Sequence, residues 1–354
     1  MRARLLALLL SLGSCLGFAQ SSTVPAAYLP GNPRSVLTSA APHYDFTSPS
    51  LKPWHLKATY QLYDEQGNPS EQGTFEYWWA SPTVYRSTWM RGSQSHTDWH
   101  TADGKEPYED TGLELSFFEY QLKSDFTSPL PKPADYDPDK TYFVQEKEKF
   151  GKVKEPCFMI VPKMPPHGQL LTVPMGLFPS YCFDEKLPVL LAKWSFGALE
   201  VNFGSLVELQ SQLYLPRAIT VFEGNRRILT ATVNAIGSLS QTDPSLTPPA
   251  SARTYDQPPA IIAANVMAGH RVSGPMPVYP EDAKQSHVDG TVDLHALIGR
   301  DGRIHEMEVA SAPWPSLVAS AMWAVSQWKY TPYLLNGKPV EVSTTIHVTY
   351  KLGN

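Results

Sequence analysis

The residues best suited to chemistry fall in two clusters, and the first contains a pair of histidines. His96 and His100 are four residues apart with Asp98 between them, a spacing that would suit a metal ion held by a helix. The surrounding residues have the pattern of a strand, however, in which positions four apart lie about 13 Å from one another. We therefore expect a polar surface cluster here and no metal site.

The second cluster is acidic and follows the spacing of a calcium-binding loop. Asp135, Asp137, Asp139 and Glu146 occupy ligand positions of that pattern. Lys140 stands where the loop requires glycine for its sharp turn, and flanking prolines prevent the helix that normally enters it. The sequence therefore predicts an acidic, solvated turn without a metal.

The common catalytic motifs are missing from the sequence. No G-x-S-x-G, G-x-G-x-x-G, P-loop or HExxH pattern occurs, so we expect a protein that is not an enzyme and needs no cofactor. Cys157 and Cys182 have no adjacent histidine that would favour a nucleophilic thiolate. We expect them to form a disulfide, with two buried free thiols as the alternative.

The first residues are typical of an export signal. Arg2 and Arg4 precede an uncharged apolar run that ends with small residues at Ala19, so residues 1–19 are predicted to be a signal peptide. Lipidation of Cys15 and retention of the segment as an inner-membrane anchor are the alternatives. We therefore place the protein in the periplasm or cell envelope, a compartment in which disulfides form.

Composition limits the class of partner. The 354 residues carry a formal net charge of −5 and are 42% hydrophobic. This gives ample material for a core but no basic excess to neutralise phosphates, so nucleic acid is excluded as a partner. The length corresponds to about two domains.

Alternating apolar and polar residues predict the elements that position these groups. A period of two over residues 54–62 is typical of a strand with one buried face, and a short amphipathic helix is predicted over residues 113–122. We predict an α+β fold, mainly antiparallel β, in which an open half-barrel-like sheet with a covering helix occupies residues 51–238. Further strands are expected at 73–79, 82–91, 93–101, 141–150, 157–161, 199–203, 212–222 and 226–235.

Proline content marks the remaining segment boundaries. Residues 20–50 are rich in Ser, Pro and Ala and are predicted to be a flexible lead-in. Residues 239–258 carry four prolines among Ser, Thr and Gln, which is typical of a semi-rigid linker. Residues 259–354 then predict a small domain with the order strand, strand, helix, strand.

The last predicted strand of this small domain is long and two-faced. The alternate positions from Val340 to Leu352 form one face that is apolar except at Thr344, while the intervening residues, from Glu341 to Lys351, are polar throughout. If such a strand lies at a sheet edge, it presents unpaired backbone N–H and C=O groups to which an extended peptide can pair.

A series of short motifs follows in fixed order through the last quarter of the chain: Pro277-Val-Tyr-Pro280, Glu281-Asp-Ala283, Gly290-Thr-Val-Asp-Leu294, Asp301-Gly302, Ala319–Ala324, Trp328-Lys-Tyr-Thr-Pro332 and Gly337-Lys-Pro-Val340. Together they resemble the C-terminal domain of the TonB family over residues 260–352. The resemblance implies a small periplasmic domain in which one helix packs on an antiparallel sheet.

The same resemblance implies a partner. In that family the domain contacts outer-membrane transporters, so we expect an outer-membrane transporter or another envelope protein to pair with an exposed strand; energy transduction for transmembrane transport is the fuller implied role. A last strand interior to the sheet, or one paired in a homodimer, is the alternative. The implied partner-binding residues are Tyr279, Pro280, Val342, Thr344, Ile346, Val348 and Tyr350.

The strands before the linker loosely resemble the open half-barrel of LolA-like lipoprotein carriers, which hold an acyl chain in their concave face. That resemblance implies an alternative role, as a periplasmic carrier of a lipid or other apolar ligand. Trp78, Trp89 and Trp99 are the candidates for lining such a cavity, although aromatic residues in strands are more often plain core.

Overall fold

The computed structural model describes residues 31–163, 175–194, 199–209, 213–254 and 259–352. Strands account for far more of these residues than the five α-helices do, so the fold is α+β and mainly antiparallel β, as predicted. None of the helices in these ranges is both long and apolar enough to cross a membrane. The predicted signal peptide lies outside the described residues.

Thirteen strands of the described ranges form one large sheet: β1 (Trp54–Tyr63), β2 (Pro69–Ser81), β3 (Val84–Arg91), β4 (Gln94–His100), β5 (Pro107–Asp110), β6 (Thr141–Phe150), β7 (Val153–Pro162), β8 (Ser180–Phe183), β9 (Leu190–Trp194), β10 (Leu199–Leu209), β11 (Leu213–Glu223), β12 (Arg226–Ser238) and β13 (Arg253–Thr254). Their order is β13-β5-β4-β3-β2-β1-β12-β11-β10-β9-β8-β7-β6. Two antiparallel meanders are therefore joined where β1 pairs with β12.

Alternation along the strands separates a core face of the large sheet from its other face. In β2 the side chains of Phe75, Tyr77 and Trp79 are all buried. Gly73 lies on the same face of β2, and a Cβ added to it would be 2.2 Å from the ring of Tyr60. Only glycine therefore allows β1 and β2 to pack this closely around that tyrosine.

A helix in the predicted lead-in corrects the sequence analysis. Residues 20–50 were expected to be flexible, but α1 (Pro33–Tyr44) packs on the core face of the large sheet. The Tyr44 hydroxyl accepts a hydrogen bond from the Leu190 N–H at 2.7 Å, which ties the end of α1 to β9. Its buried apolar residues recur at helical spacing: Val36, Leu37, Ala40 and Tyr44.

The predicted covering helix exists but begins later than residue 113. It is α2 (Phe117–Thr127), and a capping box sets its start: Ser116 and Glu119 each accept a hydrogen bond from the other's backbone N–H. The indole N–H of Trp89, in β3, donates to the Glu119 carbonyl oxygen at 2.9 Å. This contact fixes α2 on the core face of the sheet.

One core fills the space between the large sheet and its two helices. Side chains from β1 to β3 and from β7 to β12 form a single apolar cluster with α1 and α2, so the open sheet curves around the helices. Within this core Lys193 Nζ lies 2.6 Å from Asp125 Oδ1. Burial raises the pKa of Asp125 despite the nearby lysine.

The predicted linker is partly folded onto the large sheet, which corrects the expectation of an extended spacer. A short 3₁₀ turn at Pro244–Leu246 buries Leu246, and β13 pairs with β5. The carbonyl oxygen of Ser245 accepts a hydrogen bond from the Trp99 indole N–H at 3.0 Å. An apolar residue and a backbone acceptor thus hold this segment against the sheet.

The remaining elements follow the linker: β14 (Ala260–Ile261), α3 (Ala264–Ala268), β15 (Arg271–Ser273), α4 (Glu281–Gln285), β16 (Gly290–Ile298), β17 (Ile304–Ser311), α5 (Pro315–Val325), β18 (Lys329–Tyr330), β19 (Leu334–Leu335), β20 (Lys338–Pro339) and β21 (Val342–Tyr350). A small sheet has the order β14-β21-β16-β17; among its described strands β14 and β21 pair in parallel and the other pairs are antiparallel. Buried side chains of α5 and of one face of the small sheet form an apolar core that also includes Met159 and Val161 of β7.

The two sheets are in contact. The Asp301 carboxylate accepts a hydrogen bond from the Phe117 N–H, at the start of α2, at 3.2 Å, and the Phe117 ring stacks on His305 with centroids 4.4 Å apart. Arg303, close to the start of β17, forms an ion pair with Glu223 at the end of β11. The turn between β16 and β17 is therefore attached to the large sheet by polar and aromatic contacts.

Candidate functional site

β21 has two neighbours of very different length. On one side it pairs with β16 along its full length, from Ile298 opposite Val342 to Gly290 opposite Tyr350. On the other side β14 is the only strand within the described ranges that pairs with it, and this contact stops at Ser343. The remainder of that side is a sheet edge.

Backbone groups of alternate residues face this edge. The Ile262 N–H donates to the Ser343 carbonyl oxygen at 3.1 Å. A strand residue directs its N–H and C=O to one side, and its neighbours in sequence direct theirs to the other. Three further residues therefore point their main-chain groups to the same side as Ser343: Thr345, His347 and Thr349. We call residues 345–349 the β21 edge.

The buried side chains of β21 belong to the other alternate set. All five predicted partner-binding residues of this strand are only 1–6% exposed and line the core beneath α5: Val342, Thr344, Ile346, Val348 and Tyr350. Their backbone groups point toward β16, by the same alternation. These side chains therefore pack in the core of the small sheet, whereas the backbone groups on the β14 side of the strand belong to their neighbours in sequence.

The outer face of the β21 edge is polar and well ordered by cross-strand pairs. His347 Nδ1 lies 2.7 Å from Asp293 Oδ1, and the Ser311 hydroxyl donates to the other carboxylate oxygen at 2.6 Å. These hydrogen bonds hold the pKa of Asp293 below its usual range. The hydroxyls of Thr291 and Thr349 lie 3.0 Å apart. Such close side-chain contacts are typical of the pairs that lack backbone hydrogen bonds.

Tyr279 and Pro280 lie at the far end of β21. The Tyr279 hydroxyl donates to the Val288 carbonyl oxygen at 2.6 Å, and its ring meets that of Tyr350 edge-on with centroids 5.4 Å apart. Pro280 immediately precedes α4. Two of the predicted site residues, Tyr279 and Tyr350, are therefore in contact. Their contact stabilises the C-terminal end of β21.

The three candidate tryptophans do not share one face of the large sheet. Trp89 is fully buried on the core face, next to Phe75. Trp78 and Trp99 lie on the opposite face, where the guanidinium of Arg86 lies 4.3 Å and 5.3 Å from their ring centroids. They cannot line a single cavity, because adjacent positions along a strand point to opposite faces.

The two clusters considered for metals have other partners. His96 Nε2 lies 3.0 Å from Asp98 Oδ1, and His100 Nδ1 lies 3.4 Å from Glu106. Asp135 accepts a hydrogen bond from the Lys132 N–H at 2.7 Å, in a short 3₁₀ turn. Within the described ranges, no group of three or more His, Cys, Asp or Glu side chains is placed to hold a metal ion.

Cys157 and Cys182 form a disulfide that joins β7 to β8. They stand directly opposite one another in the ladder, and both side chains are buried. The bond closes the chain around residues 158–181 and therefore restricts this part of the large sheet.

Comparison with known proteins identifies the small-sheet region. The family model of the Gram-negative bacterial TonB protein C-terminal matches residues 275–352. This segment resembles TonB. Protein TonB of Vibrio cholerae is 30% identical over 95 residues, which cover 27% of this chain and 35% of that protein. The resemblance predicted from the motifs is confirmed, although the chain spans only about a third of the length of this relative.

Two solved structures resemble a larger part of the chain. A LolA superfamily protein from Nitrosomonas europaea is 9% identical with a TM-score of 0.38 and covers 60% of this chain and 97% of that one. A domain described as an outer membrane lipoprotein-sorting protein, from Vibrio parahaemolyticus, is 7% identical with a TM-score of 0.36, covering 59% and 93%. Both TM-scores lie below 0.5, and no function is inferred from this likeness.

Two features of the edge were missed by the sequence analysis. The odd-numbered residues of β21 were seen only as its polar face, yet their backbone groups form the edge. β14 was not predicted, although the short apolar run Ala260-Ile261-Ile262 after two prolines was the available signal. Strand neighbours depend on tertiary contacts, so neither the edge nor its occupant follows from alternation alone.

Proposed function

We propose that this protein binds an extended segment of another cell-envelope protein by strand addition along the β21 edge. The observation that carries the proposal is the direction of the main-chain groups of Thr345, His347 and Thr349, which face away from β16. A partner strand would form backbone hydrogen bonds there. Affinity would come from those bonds, and selectivity from the side chains of alternate partner residues.

The surroundings of the edge favour a particular partner surface. Partner side chains on the outer side would lie beside Thr345, His347 and Thr349, a row that is polar and already held by β16. Side chains on the other side would lie beside the apolar core that contains Ile346 and Val348. A segment that alternates polar and apolar residues fits both sides.

The TonB resemblance supports the choice of partner and location. Because residues 275–352 match the C-terminal family model, we propose an outer-membrane transporter or another envelope protein as the partner. The role proposed is binding. An energy-transducing role would add a link to an inner-membrane motor through a retained N-terminal segment.

Site-specific crosslinking in intact cells tests the binding role. A photoreactive amino acid at Thr349 should capture one partner, and mass spectrometry should locate the crosslink in an extended segment of that partner. Glu308 supplies the matched control, because it lies in β17 at the opposite edge of the small sheet and its side chain, like that of Thr349, is exposed. Equal capture from both positions, or none from Thr349, would refute strand addition at the β21 edge.

Proline substitutions separate main-chain pairing from loss of folding. Thr349→Pro removes an N–H that faces the edge, whereas Val348→Pro removes one that faces β16 and should destabilise the sheet. A synthetic peptide of the captured segment should bind the full chain and lose about two- to tenfold in affinity with Thr349→Pro, because one backbone hydrogen bond is lost. Met307→Pro, at the opposite edge, should leave that affinity unchanged.

The mass of the N-terminus distinguishes an adaptor from a transducer. Protein recovered from its native envelope with a start at Gln20, or with a lipidated Cys15, has lost a link to an inner-membrane motor. Protein that retains Met1 and fractionates with the inner membrane supports energy transduction.

A further inference from the structure

The β21 edge begins where a piece of the same chain already pairs with β21. The Ala260 N–H donates to the Glu341 carbonyl oxygen at 2.8 Å, and the Ile262 N–H donates to that of Ser343 at 3.1 Å. The Thr344 hydroxyl donates to the Ile262 carbonyl oxygen at 2.7 Å. This short parallel strand therefore uses the same kind of bonds that a partner strand would use.

The chain beyond β14 stays close to the same side of β21. After Ile262 it enters α3, which packs against β21. Met267, in α3, is only 1% exposed and belongs to the same apolar core as Ile346 and Val348. We call residues 259–268 the edge segment. It occupies the space into which a partner strand would extend from the β21 edge.

The edge segment is held through its backbone and only a few side chains. Ile261, between the two donors to β21, is 89% exposed, and Val266 is 43% exposed. Only two of its apolar side chains pack on the core, Ile262 in part and Met267 fully, so the ten residues of the segment bury a small apolar area. Few buried apolar contacts are typical of segments that open at low free-energy cost.

We propose that the edge segment competes with the partner strand for β21. It covers the start of the strand in the resting chain and has to leave before a partner can pair along the length of β21. This inference rests on the proposed function, since it concerns the regulation of the same edge. The apparent dissociation constant for a partner then equals the intrinsic constant divided by the fraction of chains in which the edge segment is released.

A peptide of the edge segment itself supplies a defined probe. We would label an acetylated, amidated peptide of residues 259–268 and measure its binding to the full chain. Ala260→Pro removes one donor to β21, a bond that corresponds to about a two- to tenfold change in an equilibrium. The peptide should therefore bind this variant about two- to tenfold more tightly than the native chain. Ile261→Pro is the matched control, because the N–H of Ile261 points away from β21.

A reversible lock gives the opposite change. Ile261 and Ser343 are paired neighbours whose side chains are both exposed, so Ile261→Cys with Ser343→Cys can form a disulfide that holds the edge segment in place. The oxidised form should bind the peptide at least tenfold more weakly than the reduced form. The native chain, tested under the same oxidising and reducing conditions, controls for effects on its own disulfide.

Hydrogen exchange in the native sequence provides a measurement that needs no variant. Addition of the peptide should speed exchange of the Ala260 and Ile262 amides, since the edge segment is displaced. Equal peptide affinity in the native, Ala260→Pro, locked and unlocked forms would overturn the competition, as would no binding to any form. The crosslink from Thr349 separately decides whether an envelope partner binds, so the two ideas fail in different experiments.

Discussion

The ion pair between Arg303 and Glu223 attaches the small sheet to the large one, and breaking it has a calculable consequence. Arg303→Met removes the charge but keeps an apolar stem of similar length. It also removes the guanidinium carbon that lies 5.0 Å from the Phe118 ring centroid. Glu223→Gln removes the opposite charge with little change in shape.

The size of the effect follows from the burial of the pair. Both side chains are 24% exposed, which places the pair between surface pairs, at about 0.2–1 kcal/mol, and fully buried pairs, whose disruption costs about 3–5 kcal/mol. We expect each single change to lower the free energy of unfolding by about 1–3 kcal/mol. The coupling energy in a double-mutant cycle should be about 1–2 kcal/mol.

The coupling should depend on pH in a defined direction. Burial alone would raise the pKa of Glu223, but Arg303 and Arg226 outweigh it and hold this pKa below the usual value. A carboxylate with a lowered folded-state pKa adds stability above its ordinary pKa of about 4.3 and loses it as the pH falls through the folded-state value. The coupling energy should therefore be full at pH 7 and shrink towards pH 3.

Denaturant unfolding of the four proteins in the cycle, followed by tryptophan fluorescence, measures this coupling. A coupling energy below about 0.3 kcal/mol at pH 7 is within the range of independent sites and would show that the pair does not join the two sheets. A coupling that is equal at pH 7 and pH 3 would show that Glu223 is not the group responsible.

Three further changes, one of them with a matched control, test separate parts of the fold by the same unfolding assay. Cys157→Ser should cost about 3–4 kcal/mol, because the disulfide spans 25 residues; no loss after reduction of the native chain would contradict this. Gly302→Ala should cost at least about 2 kcal/mol, since its φ is 72° and a Cβ would lie 1.9 Å from the Tyr330 carbonyl oxygen, whereas Gly224→Ala, in open space at φ 60°, should cost about 1 kcal/mol. Leu37→Ala should cost about 2–5 kcal/mol, and a change below 0.5 kcal/mol would mean that α1 is not part of the core.

The alternation of apolar residues predicted most of the large sheet, because side chains on a strand report directly which face is buried. It failed for α1. The Ser, Pro and Ala content of residues 20–50 suggested a chain without a core, yet Val36, Leu37, Ala40 and Tyr44 are buried. Four residues at helical spacing suffice when a concave sheet is there to receive them, and composition averages conceal that spacing.

The same alternation identified β21 and its buried side chains but not the direction of its backbone groups. Side-chain burial and backbone direction are separate properties of a strand. Side-chain burial follows from hydropathy, whereas backbone direction matters for binding only once the neighbouring strand on each side is known. Only the hydrogen bonds from Ala260 and Ile262 reveal that Thr345 and its alternate neighbours face the edge. Sequence patterns therefore predict a strand more readily than its binding surface.

The hydrogen-bonded ladder between β16 and β21 determines how a force applied by a bound partner would be transmitted through this protein. A strand pulling along β21 acts on nine paired residues of β16, so the load is shared among parallel hydrogen bonds. β16 leads into the turn that contains Asp301, whose carboxylate accepts a hydrogen bond from the Phe117 N–H at the start of α2. Arg303, two residues later, forms the ion pair with Glu223 of the large sheet. A load at the β21 edge thus reaches the large sheet without passing through the Pro-rich residues 239–258. The Arg303 and Glu223 cycle therefore measures the strength of one contact on this path between the two sheets.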